Sequence, residues 1–193
     1  MSVRVLGICG SMRSPSATQQ AVEAALRGAE HAGAQIEFVD VADAGLPFCD
    51  GRDNVDSYPE TVQRFRAMVQ TANGIIIGTP EYHNSLTGSL KNAIDLCTAS
   101  DFEHKMVGLV GLAGGAIGAT NAINHLRIIM RGVGAWVIPH QVSIANTDTF
   151  FEQNGQLWDV TLENRLTKLG SDVARFAKLM AAGIIDLCGM EEV

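Results

Sequence analysis

The sequence has few of the features that mark membrane, secreted or nucleic-acid-binding proteins. Its 193 residues include 14 Lys and Arg against 21 Asp and Glu, a formal net charge of −7, and basic residues form no block. This charge balance argues against electrostatic binding to nucleic acid or to an anionic membrane. No run approaches the roughly 18 apolar residues of a transmembrane helix, and the N-terminus has neither the basic start nor the apolar stretch of a signal peptide. We therefore expect a cytoplasmic protein.

Cysteine and proline are also sparse. The cysteines, Cys9, Cys49, Cys97 and Cys188, form no C-x-x-C pair, and no histidine stands at metal-ligand spacing from them. This pattern favours reduced thiols over disulfides or zinc ligands, and we predict no metal site. With 47% hydrophobic residues, 20 glycines and 5 prolines, the composition is typical of a packed α/β protein with many tight turns. The length predicts a single domain over residues 1–193.

Predicted strands and helices alternate along the chain. Apolar runs and alternating patterns predict strands at 3–9, 35–40, 74–79, 105–113 and 135–138. Helical spacing predicts helices from near Ala17, at 59–72, 89–99 and 119–131, and in a terminal segment spanning 162–180. This order predicts a three-layer α/β fold, in which a five-stranded parallel sheet has helices on both faces. We expect the flavodoxin-like strand order 2-1-3-4-5.

The loop after the first strand has the chemistry of a monophosphate site. It carries the hydroxyls of Ser11, Ser14, Ser16 and Thr18 and the guanidinium of Arg13, directly before a helix with unpaired N–H groups. The glycine and lysine offsets of dinucleotide and triphosphate loops are missing. An ordinary polar turn between strand and helix is the alternative interpretation.

Two further loops are predicted beside the first one. In the strand order 2-1-3-4-5 the connection reverses between strands 1 and 3, and ligands of such sheets bind outside the C-terminal ends of the strands there. Pro80 and Tyr82 offer flat apolar surface, and Gly114 and Gly115 allow the backbone to approach a planar ring closely. FMN fits this combination. A capped turn and tight strand-to-helix packing are the structural alternatives.

The same segments resemble the NADPH-dependent FMN reductase family over about residues 3–140. The run Gly10-Ser11-Met12-Arg13-Ser14-Pro15-Ser16 resembles the family's G-S-x-R-x-x-S loop. The runs Thr79-Pro80-Glu81-Tyr82 and Gly88-Ser89-Leu90-Lys91-Asn92-Ala93-Ile94-Asp95 resemble its P-E-Y-N-x-S-x-P-G-x-L-K-N-A-I-D signature. Gly114-Gly115 and Gly134-Ala135-Trp136-Val137 also resemble family segments. His83 and Thr87 depart from it, since the family usually has Asn and Pro at these positions.

The resemblance implies an NAD(P)H-dependent oxidoreductase with bound FMN and either NADPH or NADH as co-substrate. It implies that the electron acceptor is a small molecule, namely a quinone, free flavin or another small oxidant, and that the protein is a homodimer or homotetramer. The implied cofactor-binding residues are Ser11, Arg13, Ser16, Ala17, Thr18, Pro80, Glu81, Tyr82, His83, Asn84, Ser85, Gly114, Gly115 and Gly118. Because FMN supplies the chemistry, no catalytic side chain is assigned.

Several alternatives stay open at this level. His83 either donates a proton to an acceptor or tunes the flavin, or it makes a structural hydrogen bond. We expect His125 to be a packing or interface residue. A flavodoxin-type electron carrier is the rival function, but such carriers typically have a T/S-x-T-G-x-T phosphate loop where this chain has Ser-Met-Arg. A flavin sensor without turnover is the third possibility.

Overall fold

The computed structural model of the chain describes residues 2–151 and 159–183. Its strands are β1 (Arg4–Cys9), β2 (Gln35–Asp40), β3 (Gly74–Pro80), β4 (Met106–Leu112) and β5 (Trp136–Ile144). Its helices are α1 (Ala17–His31), α2 (Glu60–Thr71), α3 (Gly88–Asp95), α4 (Ala99–Phe102), α5 (Thr120–Gly132) and α6 (Val160–Ala181). Two short 3-10 turns lie at Val55–Ser57 and Thr147–Thr149.

The five strands form one parallel sheet in the order β2-β1-β3-β4-β5. The predicted fold and strand order are confirmed. In the centre of the sheet Gly7 of β1 lies beside Ile76 of β3, which in turn lies beside Gly108 of β4. The C-terminal ends of β1, β3 and β4 therefore meet at one edge, and the three loops of interest begin there.

Side chains on the two faces of the sheet form separate cores, because successive residues of a strand point to opposite sides. Val5 packs in the core beneath α1 and α6, whereas Leu6 and Ile8 pack in the core beneath α2, α3 and α5. All three side chains are at most 1% exposed. Because both faces of the sheet are buried, the sequences of β1, β3 and β4 are nearly continuous apolar runs.

Helices α1 and α6 pack with their backbones in contact. A Cβ atom on Gly28 of α1 would overlap the carbonyl of Thr167, and one on Gly170 of α6 would overlap the carbonyl of Ala25. Only glycine allows this approach at the two positions. The contact holds the C-terminal half of α1 directly against α6.

Two predicted elements differ from the structure by more than two residues at an end. The last strand continues six residues beyond Ile138, and its pairing with β4 shifts between Val137 and Gln141. Pro139 lies within this irregularity, where the missing proline N–H is tolerated. The helix predicted at 89–99 ends at Asp95, and α4 restarts at Ala99 because the Asp101 carboxylate accepts a 2.8 Å hydrogen bond from the Thr98 N–H.

Across residues 2–151 and 159–183 the structure contains no helix with the length and apolarity needed to cross a bilayer.

Cys9, Cys49 and Cys97 are free thiols, and Cys188 lies outside the described residues. Beyond Ile138 the chain forms the rest of β5 and the Thr147–Thr149 turn, and residues 152–158 lie outside the described residues.

Candidate cofactor-binding site

The loops after β1, β3 and β4 enclose a cavity of about 560 Å³ at the C-terminal edge of the sheet. The lining residues are Ser11, Arg13, Ser14, Pro15, Ser16, Ala17, Thr18, Gln20, Pro80, Glu81, Tyr82, Leu112, Ala113, Gly114, Thr147 and Phe151. A second cavity of about 360 Å³ shares Glu81, Ala113 and Gly114 with the first. The predicted convergence of three loops is therefore present in the structure.

The first loop leads directly into the start of α1. The Ser16 hydroxyl caps the helix by accepting a 3.2 Å hydrogen bond from the Gln19 N–H. The N–H groups of Ala17 and Thr18 have no hydrogen-bond partner among residues 2–151 and 159–183, as expected in a first helical turn. The first turn also contains no acidic side chain. These features leave a positive helix end facing the cavity.

Charged and titratable groups around this loop suit an anion. Arg13 is exposed, and its guanidinium makes no hydrogen bond within the described part of the chain. Its backbone N–H donates to the Ser11 hydroxyl at 3.2 Å, which fixes the turn.

Beneath the loop, burial raises the pKa of the Cys9 thiol to about 11, so this thiol stays protonated at neutral pH. Cys9 is thus a packing residue and not a nucleophile.

The second loop is a tight two-residue turn at the end of β3. Tyr82 and Ser85 exchange two backbone hydrogen bonds of 3.0 Å, and the residues between them, His83 and Asn84, have φ angles of 51° and 62°. This is the geometry of a type I′ turn, in which both central residues have positive φ. Tyr82 is 45% exposed beside Pro80, and both line the larger cavity.

Three side-chain contacts join this turn to α5. The Glu81 carboxylate accepts a 2.9 Å hydrogen bond from the Ala122 N–H, and Asn84 accepts one of 3.3 Å from Asn121. The Ser85 hydroxyl lies 2.9 Å from Nδ1 of His125. The Glu81 N–H also donates to the Leu112 carbonyl at 2.7 Å. The turn and the start of α5 are therefore held as one unit.

The third loop supplies open backbone. No atom lies within 4 Å of where a Cβ atom would be on Gly114 or Gly115, so a ligand can approach the main chain there. Gly118 differs, because its φ is 74° and a Cβ atom would lie 2.6 Å from the Ser143 hydroxyl. That hydroxyl accepts a 2.9 Å hydrogen bond from the N–H of Ala119, the N-cap residue of α5. The fold therefore requires glycine at position 118 whether or not a ligand binds there.

The structure places the predicted residues in three groups. Around the larger cavity lie Ser11, Arg13, Ser16, Ala17, Thr18, Pro80, Glu81, Tyr82 and Gly114. Around the smaller one lie Glu81, His83, Asn84, Gly114, Gly115 and Gly118. Ser85 borders neither of the two and instead lines a groove with Leu86 and His125 on the outer side of α5.

Sequence reasoning missed several lining residues. Gln20 stands one helical turn after Ser16, and this i, i+4 spacing could have revealed it. Thr147 and Phe151 gave no comparable signal, because they follow the unpredicted extension of β5. Leu112 and Ala113 are simply the last residues before the third loop.

These residues fit FMN. One end of the larger cavity offers hydroxyls, free N–H groups and a guanidinium, which are the donors that a phosphate needs. The other end offers Pro80, Tyr82 and the open Gly114 backbone, which suit a planar ring. Within the described part of the chain this cavity has one anion-binding end, which fits a mononucleotide.

Solved structures place the fold among flavodoxin-like flavoenzymes. FerB, a flavoenzyme NAD(P)H:(acceptor) oxidoreductase from Paracoccus denitrificans, superposes with a TM-score of 0.73 and 22% identity, covering 91% of this chain and 97% of that one. At this level of identity the likeness concerns the fold alone.

Sequence comparison identifies the family. The model of the NADPH-dependent FMN reductase family matches residues 3–149, and the chain belongs to this family. It is 33% identical over 148 residues to an NAD(P)H-dependent FAD/FMN reductase from Geobacillus thermodenitrificans, covering 77% of this chain and 78% of that one. It is also 38% identical over 121 residues to an NADPH azoreductase from Bacillus sp. (strain OY1-2), covering 63% and 66%. The predicted resemblance is confirmed, and the chain is an oxidoreductase of an FMN-dependent, NAD(P)H-using family.

Proposed function

We propose that the larger cavity binds FMN with its phosphate against the start of α1 and its isoalloxazine against the turn 80–85 and the loop 114–118. The observation that carries the proposal is the pair of unpartnered N–H groups of Ala17 and Thr18 beside the free guanidinium of Arg13. All the residues predicted from the sequence except Ser85 border one of the two adjoining cavities. Ser85 borders neither cavity, and its hydroxyl instead contacts His125 in a separate groove.

Bound FMN would supply the redox chemistry, taking a hydride from NAD(P)H and passing electrons to an oxidised acceptor. The chain itself binds and orients. Arg13 and the α1 N-terminus hold the phosphate, Gly114 and Gly115 let the backbone reach the ring, and Glu81 keeps the turn and α5 in register. His83 occupies a turn position with positive φ, which gives it a structural role whether or not it contacts the acceptor.

We propose a small planar oxidant, such as a quinone, free flavin or an azo compound, as the acceptor. Support comes from exposed apolar side chains beside the two cavities: Tyr82 is 45% exposed and Ile117 is 86% exposed. Large exposed apolar side chains at a cavity mouth favour apolar or aromatic ligands. A flavodoxin-type carrier is not favoured, because the relatives in sequence are reductases.

Assembly is a separate proposal. Ile128 of α5 is 68% exposed and Trp136 of β5 is 48% exposed, and both line a shallow groove with Arg127 and Arg131. We propose that this face is covered in a homodimer or homotetramer. Sedimentation analysis of the wild type and of Ile128→Glu tests this, with a wild-type monomer as the contrary result.

Two predictions from the sequence remain proposals. We propose that residues 1–193 form a single FMN-binding domain, supported by a sheet whose two cores are each covered by helices of the same chain. We also propose a cytoplasmic location, supported by the free thiols of Cys9, Cys49 and Cys97.

The test of the proposed function is flavin identity followed by flavin reduction. The protein is denatured and the released flavin identified, and we expect FMN and no FAD. NADH and NADPH are then added separately to anaerobic holoprotein, and at least one should bleach the flavin absorbance before any acceptor is present. Bound FMN that neither nucleotide bleaches indicates a carrier or a sensor. Stoichiometric FAD, or no flavin after reconstitution, contradicts the proposed site.

A further inference from the structure

The phosphate loop, residues 10–16, is buried at its two ends and exposed in between. Ser11 is 2% exposed and Ser16 is 4% exposed, whereas residues 12–15 are all exposed. Within the described part of the chain the backbone of 12–15 makes one hydrogen bond, from the Arg13 N–H to the Ser11 hydroxyl. The exposed part of the loop therefore takes its position from the anchored ends.

Gly10 forms the first of these anchors. Its N–H donates to the Gly78 carbonyl of β3 at 2.8 Å. Its carbonyl accepts hydrogen bonds from two hydroxyls at the start of α3, at 2.6 Å from Thr87 and at 3.2 Å from Ser89. A Cβ atom on Gly10 would lie only 2.7 Å from Cβ of Leu90. The start of the loop is therefore attached to α3 as closely as to the sheet.

Thr87 makes the stronger of the two hydroxyl contacts. Its hydroxyl is buried, donates to Gly10 and accepts from the Leu90 N–H at 3.3 Å. The Ser89 hydroxyl lies 3.2 Å from both the Gly10 carbonyl and the Thr87 hydroxyl, and its single hydrogen can be donated to only one of them at a time. The family usually has proline in place of Thr87, and proline has no hydroxyl. This anchor therefore depends on a residue in which the chain departs from its family.

We infer that Thr87 is a positioning residue of the cofactor site, which holds the start of the phosphate loop so that Ser11 and Arg13 face the FMN phosphate. This inference rests on the proposed FMN site. Thr87 lines neither cavity, so it acts through Gly10 and not by contact with the cofactor. Ser11, the next residue, lines the larger cavity and holds the Arg13 N–H. Because hydrogen bonds are directional, a shift of this loop weakens contacts to the phosphate first.

The experiment titrates the flavin-free full-length protein with FMN and with riboflavin, which lacks the phosphate. The titrations are made at about pH 8, where the phosphate is a dianion. We expect Thr87→Val, which removes the hydroxyl, to weaken FMN binding by roughly 2- to 12-fold, the equivalent of one hydrogen bond. Riboflavin affinity should hardly change. Thr87→Ser retains the hydroxyl and should recover most of the FMN affinity.

Two further variants separate positioning from stability. Tyr58→Phe removes a hydroxyl that donates to Asp50 over the same 2.6 Å distance, and Tyr58 lines neither cavity. Its ratio of FMN to riboflavin affinity should equal that of the wild type. Ser89→Ala removes the weaker contact to Gly10 and should lower FMN affinity selectively, by less than Thr87→Val does. It carries the same test should Thr87→Val fail to fold.

Other outcomes overturn the inference. Equal losses of FMN and riboflavin affinity would show that Thr87 supports the fold as a whole. Unchanged FMN affinity would show that the loop does not depend on this anchor. In both cases the wild type still binds FMN more tightly than riboflavin, and the proposed function stands. A wild type that binds the two flavins equally, or binds neither, overturns the proposed phosphate site together with the inference.

Discussion

The Thr87 hydroxyl donates a 2.6 Å hydrogen bond to the carbonyl oxygen of Gly10, 77 residues away in the chain. Thr87 is the N-cap residue of α3 and accepts a 3.3 Å hydrogen bond from the Leu90 N–H. Its own N–H donates to the Thr79 hydroxyl at 3.2 Å. One buried threonine therefore joins the ends of β1 and β3 to the start of α3, at a position where the family usually has proline.

Replacing Thr87 by valine removes the hydroxyl and retains the shape of the side chain. The Gly10 carbonyl keeps only the 3.2 Å contact with Ser89, and the Leu90 N–H loses its cap. We expect the free energy of unfolding to fall by about 1 to 3 kcal/mol, the cost of leaving buried polar groups unpaired. Urea unfolding of the flavin-free protein measures this.

Two companion variants test the cause. Thr87→Ser keeps the hydroxyl and should lose clearly less stability than Thr87→Val. Thr87→Pro restores the usual family residue but removes both the hydroxyl and the N–H bonded to Thr79, so it should be at least as unstable as Thr87→Val. Equal stabilities for Thr87→Val and Thr87→Ser would show that the hydrogen bonds do not matter here.

The sequence predicted where the site lies because the site follows from topology. The apolar runs of β1, β3 and β4 fix which strands are central, and parallel strands bring their C-terminal ends to one edge. The hydroxyls and Arg13 after β1 then face the turn 80–85 and the loop 114–118. Each of these steps depends on local patterns that a single sequence contains.

What could not be predicted depends on contacts between distant segments. The turn at His83 and Asn84 lacks the Asn-Gly pair that usually marks a type I′ turn. Proline normally ends a strand, so Pro139 gave no sign that β5 continues beyond it. The approach of Thr147 and Phe151 to the cavity depends on this continuation and could not be predicted either. The contact of Glu81 with α5 is a hydrogen bond to the Ala122 N–H, 41 residues further along the chain.

The hydrogen bond between Glu81 and the start of α5 gives a second stability prediction. The N-cap residue of α5 is Ala119, which has no side-chain cap, and Glu81 supplies one by accepting from the Ala122 N–H. We expect Glu81→Ala to lower the free energy of unfolding by about 0.5 to 2 kcal/mol, as loss of a cap does. Glu81→Gln keeps an acceptor oxygen and should recover most of the loss. Denaturant unfolding of the two variants decides the matter, and equal losses would contradict a capping role.

A buried ion pair between α2 and α4 gives a pH prediction. Burial alone would raise the pKa of the Asp101 carboxyl, but hydrogen bonds from Arg66, Gln70 and the Thr98 N–H outweigh it and lower that pKa. A carboxylate with a lowered pKa stabilises the fold at pH values above its unfolded pKa of about 4, and this stabilisation is lost as the pH falls through the folded value. Arg66→Met leaves Asp101 buried without its main partner and should cost about 3 to 5 kcal/mol at pH 7.

The stability gap between this variant and wild type should depend on pH. Arg66 makes the largest contribution that lowers the Asp101 pKa, so its loss raises that pKa, and the variant should gain stability relative to wild type as the carboxyl protonates. The stability difference should therefore be largest at neutral pH and should narrow toward about pH 4. Lys91→Met breaks the exposed Lys91 to Asp95 pair and is the control, with little loss at any pH. A difference that does not vary with pH would contradict the assignment to Asp101.

Donor and acceptor should share one site. The two cavities share Glu81, Ala113 and Gly114, so we expect donor and acceptor to reach a ring lying on this backbone through the same space. We expect turnover in two alternating half-reactions, so initial rates at varied NAD(P)H and quinone should give parallel double-reciprocal lines. Intersecting lines would require both substrates to be bound at once.

The last prediction concerns Arg13, the only cation in the phosphate loop of a chain with net charge −7. Its exposed guanidinium makes no hydrogen bond within residues 2–151 and 159–183, so it is available to a phosphate. Charged hydrogen bonds contribute about 1.5 to 3 kcal/mol, and Arg13→Ala should therefore weaken FMN binding by roughly 10- to 150-fold. Arg13→Lys should recover only part of this, because an ammonium keeps the charge but not the planar pair of donors.

Riboflavin and a second arginine make the test specific. Riboflavin lacks the phosphate, so its affinity should hardly change in Arg13→Ala. Arg4 stands at the opposite end of β1, away from the cavity, and Arg4→Ala removes the same charge without touching the loop. Titration of the flavin-free protein should show FMN affinity lowered by Arg13→Ala and unaffected by Arg4→Ala. If riboflavin affinity falls as far as that of FMN, Arg13 is not a phosphate ligand, and the phosphate must lie elsewhere in the cavity.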